Sequence, residues 1–99
     1  MSGKERFIEI YQAHIRRPGS QRLLEYLQSP ASDFFEAPAS TRFHGAYKGG
    51  LVDHSLNVYD CLNDYLSRER VKRVYGIDQI SDETIAVVAL LHDLCKINV

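Results

Sequence analysis

What this 99-residue sequence lacks narrows its class before any motif is found. It has no long hydrophobic run: the longest, Ile85–Leu91, falls far short of the ~20 residues a membrane-crossing helix needs. Charge of one sign is also missing. A net charge of −1 offers no global basic field for nucleic acid or an anionic membrane, although local basic groups remain. Cysteine is scarce: Cys61 and Cys95 lie far apart inside apolar stretches and form no Cys-x-x-Cys pair. With no secretory pattern at Met1–Phe7, both are expected to be reduced core thiols in a cytoplasmic protein. Alternating strand patterns, repeats and low-complexity tracts are absent too. An apolar share of 44% and a charged share of 25% describe an ordinary globular chain, and its length allows one domain at most.

What is present is helical periodicity. Phe7, Ile8, Tyr11 and Ile15 recur at spacings of three and four, which predicts a helix from Lys4 to about Arg17. Pro18-Gly19 ends it, and Ser20 is the expected N-cap of a second helix carrying Leu23, Leu24 and Leu27, stopped by Pro30. Asp33–Tyr47 holds no period and reads as loop, with one short turn. Gly49-Gly50 precedes a long helix over about Leu51–Arg70. A connection through Gly76 and Asp78 follows, then a last helix from Asp82 to roughly Cys95, capped by Ser81 or Asp82. Asp82 and Glu83 suit the positive end of its dipole. The fold class is all-α.

On the Leu51–Arg70 helix, His54 shares a face with Leu51, Val58, Cys61, Leu62 and Tyr65, the face expected to pack inward. A lone histidine in such a stripe is usually a hydrogen-bonded core residue. The last helix says more. Ile85–Leu91 is apolar on every side and should be surrounded by protein, yet His92-Asp93 follows it directly. An unpartnered carboxylate there would cost several kcal/mol to bury. Two readings answer this: a structural Asp–His or Asp–Arg pair, or emergence into solvent, on one side; a divalent cation held by His54, His92 and Asp93 on the other. Imidazole and carboxylate donors suit Mn²⁺, Fe²⁺, Co²⁺, Ni²⁺ or Zn²⁺ better than Ca²⁺. Spacing alone leaves both open.

The order His54, then His92-Asp93 after an apolar helix, resembles the first three elements of the His…His-Asp…Asp signature of the HD superfamily of metal-dependent phosphohydrolases. Two local segments are similar as well. Ala37-Pro38-Ala39-Ser40 with His44-Gly45-Ala46-Tyr47-Lys48-Gly49-Gly50-Leu51-Val52-Asp53-His54-Ser55-Leu56 resembles the region around the first metal histidine in one branch of that superfamily. That branch holds YhaM-type 3′→5′ exoribonucleases and HD domains attached to relaxases or helicases. His92-Asp93-Leu94-Cys95-Lys96 resembles the His-Asp-Ile-Gly-Lys form of the doublet, with Cys95 in the glycine's place and expected to pack.

The resemblance implies an all-α, HD-domain-like helical bundle over residues 37–99, preceded by N-terminal helices in 1–36, as one structural unit. It implies metal ligation by His54, His92 and Asp93, the ion being Mn²⁺, Fe²⁺, Co²⁺, Ni²⁺, Zn²⁺ or Mg²⁺, and hydrolysis of a phosphoester in a nucleotide or nucleic acid. Lys96, one turn after His92, would hold substrate phosphate, or else cap a solvated helix end. His44, with Arg42 and Lys48, lies in the loop before Gly49-Gly50, within reach of phosphate oxygens or a leaving group if not simply solvated. The superfamily's last ligand is an aspartate on a later helix, and only six residues follow Asp93. The expectation is therefore the N-terminal part of an HD domain, cut after the His-Asp helix, whose open core is covered by self-association or by a longer gene product. No segment before Lys4 could supply the RNA-binding module of the exoribonuclease branch, which favours a plainer phosphohydrolase. The alternative is a non-catalytic helical module that binds itself or a partner through its exposed core.

Overall fold

The computed structural model describes residues 2–39, 46–75 and 80–97. Among these the regular structure is entirely helical: α1 (Gly3–His14), α2 (Ser20–Gln28), α3 (Gly50–Ser67), α4 (Glu69–Tyr75), α5 (Asp82–Leu91) and a 3₁₀ turn over Leu94–Lys96. The all-α bundle expected from periodicity is the observed architecture. The connection through Gly76 and Asp78 lies outside the described residues.

Helix α1 starts where the Ser2 hydroxyl accepts from the Glu5 amide at 3.1 Å, satisfying one of the first-turn donors that a helix leaves without an internal partner. Its stripe of Phe7, Tyr11 and Ile15 is buried, although the helix itself stops at His14, three residues short of the expected Arg17. Ser20 is not the cap of α2. Gly19 takes that position with φ 86°, a left-handed turn open to glycine, and Ser20 enters the first turn, where its carbonyl accepts from the Tyr11 hydroxyl at 2.7 Å. Leu24 and Leu27 face the core, and Ser29 is extended ahead of Pro30, as the proline ring requires.

The segment before α3 is irregular but anchored. Phe34 is fully buried with its ring 4.8 Å from that of Phe7, and Phe35 meets both rings edge-on. Its carbonyls then finish the next helix: Glu36 O accepts from the Gly49 amide at 3.0 Å and Ala37 O from the Leu51 amide at 2.9 Å. Backbone thus caps the N-terminus of α3 and fixes where His54 begins its turn.

Helix α3 ends at Ser67, not Arg70, with Arg68 extended and α4 beginning at Glu69. The Ser67 hydroxyl donates to Asp64 O at 2.7 Å, a local bond to a last-turn carbonyl, and the Arg68 guanidinium pairs with the Asp64 carboxylate at 2.6 Å. The inward face agrees with expectation at Leu51 and differs beyond it. Leu51, Val52, Ser55 and Leu56 are the buried set, whereas His54 and Val58 are partly exposed, and Cys61 and Tyr65 are exposed. Both faces of α3 are apolar, so periodicity could not choose between them. The core lies where α1, α3 and α5 meet, around Phe7, Leu51, Ala86 and Leu90.

Helix α5 opens on Ser81, whose hydroxyl accepts from the Thr84 amide at 3.0 Å. Ile85, Ala86, Ala89 and Leu90 are buried, but Val88 is 52% exposed, so the helix is covered on one side rather than all round. It stops at Leu91 instead of Cys95, because the backbone leaves helical angles at Asp93 (φ −108°, ψ 23°), a residue type that favours helix ends over interiors. Cys61 and Cys95 are free and exposed, which replaces the expectation of core thiols and of a packing role for Cys95. Two charged links tie α1 and the residues that follow it to the other helices. Glu83 accepts from the Arg16 amide at 2.6 Å and from Arg17, and Arg6 grips Asp60 bidentately. Each partner holds its carboxyl below the usual range.

Because Phe7 is fully enclosed between α1 and the Phe34–Phe35 segment, Phe7→Ala should lower unfolding free energy by about 3–5 kcal/mol in urea titration. A loss under about 1 kcal/mol would mean that this aromatic cluster does not organise the core.

Candidate metal centre

Two helices deliver the candidate ligands. His54 stands one turn into α3, on a helix start fixed by the carbonyls of Glu36 and Ala37. His92 is the C-cap of α5, and Asp93 follows as the chain turns away. The packing of α5 against α3 brings these three side chains together, each with a donor atom within 4.8 Å of the others. Metal bonds of ~2.0–2.2 Å to nitrogen and oxygen span that spread after small rotamer changes.

One atom is the focus. Asp93 Oδ2 lies 3.2 Å from His54 Nε2, 3.1 Å from His92 Nε2 and 3.5 Å from Lys96 Nζ. The two imidazole rings are 5.4 Å apart. His92 Nδ1 is 2.9 Å from the Ala89 carbonyl, which can only accept, so a hydrogen bond there requires the proton on Nδ1. A neutral His92 therefore turns the lone pair of Nε2 onto a carboxylate oxygen. Two lone pairs at that distance repel, and the arrangement calls for positive charge between them, a proton or a metal ion. The backbone hydrogen bond is also the usual device that fixes a ligating imidazole's tautomer and orientation. The donor set and its convergence fit a divalent transition ion.

The remaining candidates fall unevenly around this point. Lys96 reaches the centre, with its ammonium donating to Ala39 O at 2.8 Å while it faces Asp93. Lys48 is exposed and turned to Glu36, 3.8 Å away. Arg42 and His44 lie outside the described residues. Two features add to the candidates, the first with no signal in the sequence and the second legible there only as an apolar stripe expected to pack inward. The Tyr47 hydroxyl donates to Asp53 at 2.8 Å, joining the preceding loop to the residue before His54, and that carboxylate raises the phenol's pKa. The second is a mostly apolar groove of about 640 Å³ on the outer face of α3, running from His54 past Val58, Leu62 and Tyr65 to Arg68.

Comparison with known proteins gives one distant relative, a dihydroneopterin 2′,3′-cyclic phosphate phosphodiesterase of Methanocaldococcus jannaschii. It is 29% identical over 102 aligned positions, which cover 93% of this chain and 40% of the relative. The chain thus spans well under half the length of the protein it matches. No family profile and no solved structure match it. No helix among the described residues is long and apolar enough to cross a membrane.

The geometry assigns a tautomer that NMR can read. In long-range ¹H–¹⁵N spectra at a pH where the rings are neutral, His92 should show a protonated Nδ1 and a bare Nε2. The opposite tautomer would mean that Nε2 donates to Asp93 and that Nδ1 makes no hydrogen bond to the Ala89 carbonyl.

Proposed function

We propose that this chain is part of a metal-dependent phosphohydrolase of the HD superfamily, acting on a phosphoester of a nucleotide or nucleotide-like compound. The observation that carries the proposal is the convergence of His54 Nε2, His92 Nε2 and Asp93 Oδ2 at one point, from two helices, in the order that the superfamily's signature requires. In this reading residues 37–99 are the HD portion and residues 1–36 its N-terminal support. The distant relative is named for cleaving a cyclic phosphodiester, which favours a diester over a monoester.

His54, His92 and Asp93 would hold the ion. When bound, it supplies Lewis-acid activation of water and neutralises charge on the phosphoryl group. The chain's own groups do the rest. Ala89 O keeps the His92 ring oriented through Nδ1. Lys96, anchored on Ala39 O, retains N–H capacity for a phosphate oxygen, since an ammonium has three donors. Half-exposed His54 and Lys96 leave the point open to an incoming anion. Arg42 and His44 are proposed to approach the substrate from the loop before α3; Lys48 joins them only if it leaves Glu36.

Plasma mass spectrometry on untagged protein prepared without chelator should find close to one equivalent of transition metal in the wild type and almost none in His92→Ala. Hydrolysis of bis(p-nitrophenyl) phosphate by the metal-loaded chain should fall at least a hundredfold in that variant. Hydrolysis that survives His92→Ala unchanged would sink the proposal.

A second reading rests on a separate observation, the exposed apolar face made by Val58, Leu62 and Tyr65 on α3 and the exposure of Val88 on α5. Here the chain is a non-catalytic module that pairs with a second copy of itself through α3. Sedimentation should then show a dimer that Leu62→Asp returns to monomer. A wild-type monomer at high concentration would dismiss this reading and leave the first untouched.

A further inference from the structure

Resting on the metal reading above, we infer that Lys96 makes metal binding and phosphate binding depend on each other. Its ammonium donates to the Ala39 carbonyl at 2.8 Å, a contact across 57 positions of the chain that tethers it beside the centre. Ala39 itself is buried. From that tether the ammonium sits 3.5 Å from Asp93 Oδ2, the oxygen on which both imidazole nitrogens converge.

A bound on distance follows. An ion bonded to Oδ2 at about 2.0–2.2 Å can lie no farther than about 5.7 Å from a nitrogen that is 3.5 Å from the same oxygen. At that separation a divalent ion and an ammonium repel by about tenfold in binding constant even with the full dielectric of water between them. Loss of the lysine would also free the Asp93 side chain, an entropic penalty of about threefold. The repulsion is the larger effect, so Lys96 weakens binding of the bare ion. A phosphate oxyanion reverses this. Placed between the ion and the ammonium, it is attracted by both and relieves their mutual repulsion. The coupling is reciprocal by thermodynamic necessity, so each ligand raises the affinity for the other by the same factor. The centre would fill when ion and phosphoester are both present, and lose its grip on the ion once the phosphate product leaves.

The test is titration of the full chain with Mn²⁺, followed by electron paramagnetic resonance of the free ion, with and without inorganic phosphate. The wild type should bind Mn²⁺ about tenfold more tightly when phosphate is saturating. Lys96→Met should bind it about tenfold more tightly than wild type without phosphate, and gain less than about threefold when phosphate is added. Lys96→Arg, which keeps the charge, should stay close to wild type. A misfolded variant cannot mimic tighter binding, so the readout is not open to that confusion. Equal or weaker Mn²⁺ binding by Lys96→Met, or an undiminished phosphate effect, would overturn the inference. A wild-type chain that binds no Mn²⁺ at all would overturn the metal reading first.

Discussion

The approach of α5 to α3 sets the position of everything that could be chemically useful. Three small side chains, Ser55 on α3 with Ala86 and Ala89 on α5, are fully buried in a bundle whose helices α3 and α5 pack together. Larger groups then enclose the contact: Leu51 and Leu56 from α3, Leu90 from α5 and Phe7 from α1. With that packing fixed, His54 has one place to be. Whatever follows Leu91 must emerge beside it. The end of α5 exploits this, because a continuing helix would carry Asp93 round with the spiral. The turn at His92 and Asp93 instead directs the carboxylate to both imidazole nitrogens.

Support for the centre comes mostly from backbone. The carbonyls of Glu36 and Ala37 set the start of α3, Ala89 O orients His92, and Ala39 O holds Lys96. Such contacts fix side chains in place without depending on which residues supply the carbonyls. They also confine two cationic or potentially cationic groups, His92 and Lys96, around a single carboxylate oxygen. That concentration of demand for positive charge separates this group from an ordinary surface ion pair such as Lys48–Glu36 or Arg68–Asp64, where both partners are mostly exposed.

Much of the fold could be read from the residues. The spacing of Phe7, Tyr11 and Ile15 located α1, Pro30 ended α2, and Ser81 began α5, since each depends on local sterics and hydrogen bonding. The apolar helix running into a His-Asp doublet left a structural pairing and a shared ion both open; the resemblance grouped His54 with His92 and Asp93, and the structure sets their donor atoms within 4.8 Å of one another. Other features depend on tertiary context. Which side of α3 turns inward was not legible, because Val52 and Leu56 on one face compete with Val58, Leu62 and Tyr65 on another. The choice is made by α1 and α5. The stop at Ser67 and the early end of α5 reflect side chains bonding to nearby backbone or leaving the helix, which a count of apolar positions does not register. The Lys96–Ala39 link was invisible because a backbone carbonyl carries no sequence signature.

In the proposed centre two imidazoles and one carboxylate, from α3 and the end of α5, share one ion. X-ray absorption spectroscopy of the protein loaded with Zn²⁺ tests it most directly. The expected spectrum carries the outer-shell scattering pattern of two imidazole rings, reduced to one in His54→Gln with the same metal. A spectrum with no imidazole scattering, or one that His54→Gln leaves unchanged, would contradict it.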